Sequence, residues 1–249
     1  MRSPRLVVPA LVCTLGFLLA GCSQQPGAML NRDARMDPSA LAQRQASAQA
    51  SSTEPTVGQL WGSFQASLAA ARSMRITGVV QLSGKAATVD MSGMCDGSNG
   101  RSTVAIDNQS LEVTAVSGTY YLKANTAYWR AAGMKQDVIV AIGSRYLASK
   151  DPKLGEFTVA GFIGSLKSEQ AITEGMGVIA EKTTLTGRPV YLFSVRTQDG
   201  RVTIWVTDKG YALLKMRYET SAGTDEITFS EWDMPVSYKA PPPAQIITL

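Results

Sequence analysis

The chain has 249 residues, 45% of them hydrophobic and 18% charged, with 3 Cys and no His. That apolar fraction excludes a disordered chain, and no sequence period suggests a fibre or a solenoid. Without His there is no Ser-His-Asp or Cys-His pair and no imidazole ligand for zinc, copper or non-haem iron. A net charge of +4 is too small to point to nucleic acid.

The N-terminus carries a cationic start at Arg2 and Arg5 and an apolar run from Leu6 to Leu19. This is the pattern of a secretion signal, too short for a membrane-spanning helix. It ends in Leu19-Ala20-Gly21-Cys22, the spacing of a bacterial lipobox: small residues before the cut and a thiol to take the lipid. The expectation is a signal peptide over residues 1–21 and an acylated Cys22, with palmitate among its acyl chains. Cleavage there removes two arginines and lowers the net charge from +4 to +2. It also removes Cys13 and consumes Cys22, so Cys95 is the remaining cysteine and an internal disulfide is excluded. No later apolar run reaches membrane-spanning length, so anchoring falls to the lipid and places the protein on the extracytoplasmic face of the cell membrane.

Residues 22–55 are rich in Ser, Gln, Ala and Pro and hold too few large apolar side chains to offset their ordering entropy. They are expected to be a flexible stalk. A domain over 56–239 then opens with Thr56-Val57-Gly58-Gln59, a capping box. Val57, Leu60, Trp61, Phe64, Leu68 and Ala71 follow as one helical stripe. Short strand patterns come next at Arg75–Leu82, Ala86–Met94, Arg101–Asp107, Leu111–Val116 and Thr119–Lys123. The turn clusters between them are short enough to make neighbours antiparallel. Val89 and Met91 alternate with Asp90 and Ser92, so one sheet face is apolar and the other wet.

The middle reads as helical: Asn125 caps a short helix through Trp129, followed by Gln136–Leu147 and by Phe157–Leu166 with Phe157, Phe162, Ile163 and Leu166 as its apolar set. Strands resume at Gly177–Thr186, Pro189–Thr197, Arg201–Thr207, Ala212–Glu219 and Glu226–Trp232, with Asp199-Gly200 and Lys209-Gly210 as hairpin signals. The Pro-rich end, 240–249, reads as an exposed tail. The fold class is α+β: a strongly curved antiparallel sheet of about ten strands, a half-barrel, with helices over its concave face. The sequence leaves open whether a cavity or a filled core lies between the layers.

Several chemical motifs fail on context. Gly175-Met176-Gly177-Val178-Ile179-Ala180 has a dinucleotide-loop spacing but strand-like residues where a helix must begin. Asp96-Gly97-Ser98-Asn99-Gly100 resembles the start of a calcium loop, yet Arg101 stands where Gly is needed. There is no Ser-x-x-Lys, no Gly-x-Ser-x-Gly, no Walker loop and no Cys-x-x-Cys. The acidic residues Asp225, Glu226, Glu231 and Asp233 read as a solvated sheet face, and Trp61, Trp129, Trp205 and Trp232 as core or cavity wall.

The lipobox, the stalk, the amphipathic helix and the two sets of strands together resemble actinobacterial cell-envelope lipoproteins of the LppX/LprG type, with the half-barrel fold of the LolA and LolB carriers. Val80–Met94, Gly118–Arg130 and Asp208–Tyr218 carry the likeness. The resemblance implies an apolar cavity for acyl chains, a role in binding or carrying a lipid or other amphiphile, and no enzyme activity, cofactor or metal. The alternative, a different function class on the same fold, is an envelope sensor or scaffold that binds a protein partner without a ligand cavity, as RseB-like sensors do. The candidate cavity-wall residues are Phe64, Leu68, Met91, Leu122, Trp129, Phe162, Leu192 and Ile204.

Overall fold

The computed structural model describes residues 54–82, 84–168, 178–196 and 200–247, with the side chains of 165–168 outside that description. The lipobox, the stalk, Gly175–Gly177 and the Asp199 turn lie outside the described residues.

Thr56 caps helix α1 (Val57–Ala70): its side chain accepts from the Gln59 amide, and the Gln59 side chain accepts from the Thr56 amide at 2.8 Å. Val57, Leu60, Phe64 and Leu68 are the buried stripe of this helix. Five strands follow: β1 (Ser73–Leu82), β2 (Lys85–Met94), β3 (Asn99–Ile106), β4 (Gln109–Val116) and β5 (Thr119–Ala124). The β4–β5 loop sets Ser117 and Gly118 at φ 49° and 77°, a two-residue turn whose twist matches that of the strands.

Asn125 does cap a short helix, α2 (Thr126–Ala131), accepting from the Tyr128 amide at 2.9 Å. The next helix, α3 (Gln136–Ile142), stops at Gly143. The helix expected to run on through Leu147 gives way to strand β6 (Tyr146–Ser149). A 3₁₀ turn (Pro152–Phe157) then leads into α4 (Val159–Ser168). The helix expected from Phe157 therefore starts two residues later, after the Pro152 turn. Five more strands complete the chain's main course: β7 (Glu181–Leu185), β8 (Arg188–Arg196), β9 (Gly200–Thr207), β10 (Leu213–Thr220) and β11 (Gly223–Ser230).

Residues 242–245 of the Pro-rich C-terminal segment are exposed, yet the segment pairs with the sheet. After Pro242, a 3₁₀ turn (Pro243–Gln245) delivers β12 (Ile246–Ile247), which pairs parallel to Tyr146 and Leu147. All strands join one curved, unclosed sheet in the order β12-β6-β5-β4-β3-β2-β1-β11-β10-β9-β8-β7. Every other pairing within it is antiparallel. The architecture is α+β, with β6 and β12 as the two strands beyond the ten read from sequence.

Candidate functional site

Residues directly opposite one another in a ladder present their side chains on the same face. One row runs Phe193–Ile204–Met216–Ile227–Gly78–Val89–Val104–Leu111–Ala124 from β8 to β5, and every member is apolar. The next runs Phe229–Ile76–Met91–Ser102–Val113–Leu122–Leu147 from β11 to β6. The helices lie on this inner face. Leu60, Phe64 and Leu68 of α1 and Val159 and Ile163 of α4 close over β1, β2 and β8–β11 in one core cluster. Trp129, Ile139 and Ile142 of α2 and α3, with Leu154 of the 3₁₀ turn, close over β4–β6 in a second.

Beneath α1 the contact is filled. Leu60, Leu68, Ile204 and Phe229 retain at most 1% of their exposure, which leaves no void that a water molecule could enter there. The boundary between the two clusters falls on β3. Its inner face carries Gly100, Ser102, Val104 and Ile106; Ser102 is buried, whereas Val104 and Ile106 are only half-buried. Val104 leans on the first cluster, and Leu111 opposite it belongs to the second.

The candidate wall residues divide accordingly. Phe64, Leu68, Met91 and Ile204 belong to the first cluster, and half-buried Phe162 packs against it with its ring 6.2 Å from Phe229. Leu122 and Trp129 belong to the second cluster. Leu192 is on the other face: it stands opposite Trp205, whose ring lies 5.4 Å from the Lys215 ammonium. Trp205 is thus an outer-face residue rather than core or cavity wall. The indole N–H groups of Trp129 and Trp232 are buried without a hydrogen-bond partner among the described residues. Cys95 is half-buried against the first cluster.

The outer face is held by charge. Arg75 grips Asp90 through two hydrogen bonds of 3.0 and 2.8 Å and reaches Glu231 at 3.2 Å, and these carboxylates push its guanidinium pKa further up. Arg101 pairs with Glu112, and Lys215 with Glu226 at 2.8 Å. Asp225 faces the other way from Glu226: it stands opposite Tyr218, which packs against the first cluster. Burial pushes its carboxyl pKa up, opposed by the Gln81 amide that donates to it at 2.6 Å. The acidic residues near the C-terminus are therefore split between faces, each beside a cation or a backbone N–H, Asp233 accepting from the Arg72 amide at 2.7 Å.

A strap that no local sequence pattern announces crosses one end of the sheet. Ser73 donates to the Met234 carbonyl at 2.6 Å. Asn99 clamps Tyr238 twice, donating to its carbonyl at 2.8 Å and accepting from its amide at 2.7 Å. A cleft of about 170 Å³ opens beside this strap, between Ser92, Glu231 and residues 234–238. The sequence Asp96–Gly100 that mimics a calcium loop is the β2–β3 turn, with Asp96 accepting from the Ser98 amide at 2.9 Å. Among the described residues no group of His, Cys, Asp or Glu is gathered as a metal site, and no helix is long and apolar enough to cross a membrane.

No family model matches the chain, and no curated protein does. Among solved structures, LprF of Mycobacterium bovis is similar over 76% of this chain and 99% of its own, at 16% identity and a TM-score of 0.46. The Mycobacterium tuberculosis lipoprotein LppX is similar over 72% of this chain and 95% of its own, at 12% identity and a TM-score of 0.43. MucB in its complex with MucA from Pseudomonas aeruginosa is similar over 73% of this chain and 58% of its own, at 12% identity and a TM-score of 0.35.

Proposed function

We propose that the protein is a membrane-anchored extracytoplasmic lipoprotein, tethered through Cys22, that binds or carries a lipid or other amphiphile along the inner face of its sheet. The observation that carries this reading is the seam on β3. One apolar row of the inner face runs unbroken from β8 to β5, yet its helical cover is in two parts, and half-buried Val104 and Ile106 stand between them. Parting the two covers along that line would expose a continuous apolar track without breaking the sheet. Each methylene laid on such a track contributes about 0.8 kcal/mol, so a carrier needs area and no catalytic group. Met91 and Met216 suit that role because their side chains adapt to irregular chains.

The test is uptake of a fluorescent fatty-acid analogue by the full chain. Ile106→Glu puts a carboxylate in the seam and is expected to abolish uptake. Leu192→Glu puts the same charge on the outer face and is expected to leave uptake intact. Equal uptake by both variants would overturn the reading and favour the partner-binding alternative.

A further inference from the structure

We propose that the α2–α3 hairpin is a second membrane contact, docking on an anionic lipid surface. Residues 123–153 contain six basic and two acidic residues, a net +4 that equals the charge of the whole chain; the rest of the chain is balanced. Three of these cations stand on the hairpin. Arg130 reaches the first turn of α3, donating from Nε and Nη2 to Gln136 Oε1 at 3.3 Å each. Lys135 is the residue that precedes that turn. Arg145 reaches the last turn, donating to the Ala141 carbonyl. All three are exposed, and none pairs with a carboxylate among the described residues, in contrast to Arg75, Arg101 and Lys215 on the outer face.

Between these ends, the solvent side of α3 carries Val140, 70% exposed, with exposed Ala141 beside it and exposed Asp137 in the first turn, one carboxylate against the three cations. Its other side, Ile139 and Ile142, is sealed in the second core cluster. Seven residues of helix separate the two cationic ends by about 10 Å, a spacing suited to neighbouring headgroup phosphates. An apolar side chain flanked by arginine and lysine, on a helix already folded against a core, is the pattern of shallow interfacial docking on anionic lipid. This inference stands on charge and exposure and does not depend on the seam in β3. Docking would bring the helical cover of the second cluster against the bilayer.

The experiment is hydrogen–deuterium exchange of the full acylated chain held in nanodiscs, which keeps the domain near lipid whatever the headgroup. Discs containing phosphatidylglycerol are expected to slow amide exchange in residues 130–145 by about threefold or more relative to phosphatidylcholine discs, with β8–β10 unchanged. About 0.5 M salt is expected to remove the difference, because the Debye length then falls well below 10 Å. Two variants keep the core intact: Arg130→Gln with Lys135→Gln and Arg145→Gln, and separately Val140→Asp. Both are expected to erase the protection. Equal exchange of residues 130–145 in the two kinds of disc would overturn the proposal, as would protection that survives the triple substitution.

Discussion

Gly93 and Gly100 face each other across β2 and β3 so closely that a Cβ on Gly93 would stand 3.0 Å from the Gly100 Cα and the Asn99 carbonyl. On the helix side it would lie 3.6 Å from the Val159 side chain. The pair forms a notch in the inner face into which the first residue of α4 settles. Gly161, two residues further on, meets the 3₁₀ turn so tightly that a Cβ there would lie 2.4 Å from the Gly155 carbonyl. The seat of α4 is therefore made by missing side chains.

Gly93→Val, a change that strand propensity alone would favour, is expected to destabilise the domain by about 1–3 kcal/mol through overpacking. Gly62→Ala is the opposite case. Gly62 is exposed within α1, with nothing near an added Cβ, so alanine there is expected to stabilise by about 0.5–1 kcal/mol. Urea unfolding of the two variants beside the wild type checks both signs.

Asn99→Ala removes both hydrogen bonds that hold Tyr238. With each such bond contributing about 0.5–1.5 kcal/mol, the strap from Met234 to Gln245 is expected to open locally before the sheet unfolds. Limited proteolysis should then cut within residues 235–245 faster than in the wild type. Unchanged cleavage would show that β12 and Ser73 hold the strap without Asn99.

Asp225 supplies a pH dependence whose sign is fixed. Burial raises its folded pKa above the ordinary 3.8, so between the two values the native state binds more protons than the unfolded state. The stability tied to this group is full below the unfolded pKa and is lost as pH rises through the folded one. Asp225→Asn keeps an oxygen for the Gln81 amide and removes the buried charge. It is expected to raise stability at neutral pH relative to acid pH, removing the fall in stability that Asp225 imposes as pH rises through its folded pKa in a thermal-denaturation series. A variant less stable at pH 7 with the slope unchanged would contradict this.

Cys22→Ser is expected to abolish acylation and membrane retention together. Metabolic labelling with a radioactive fatty acid, followed by fractionation, reads both. A labelled variant in the membrane fraction would rule out the Cys22 anchor.

Much of the domain is legible in the sequence where local chemistry acts alone. The Thr56–Gln59 box, the Asn125 cap and the Ser117-Gly118 turn each form through residues within three positions of one another. The inner face of β2 is readable because Val89 and Met91 alternate with polar neighbours. In β8 the run Pro189–Phe193 is apolar on both parities, so hydrophobicity alone does not tell which face Leu192 takes. Ser194 and Arg196 share its parity and were the signal that it points outward. Strand β6 is hidden because Leu147 extends the helical stripe of α3, and its strand character comes from pairing with β5 and with β12, the latter a hundred residues away. The seam on β3 is a property of which helices land where, and no local pattern encodes that.

The central claim is an amphiphile held on the inner face, and native mass spectrometry of the full chain extracted from its host membrane tests it most directly. Adducts of lipid mass beyond the covalent acyl groups are expected, retained in Leu192→Glu and lost in Ile106→Glu. A protein that carries its covalent lipid and nothing else, in wild type and variants alike, would contradict it.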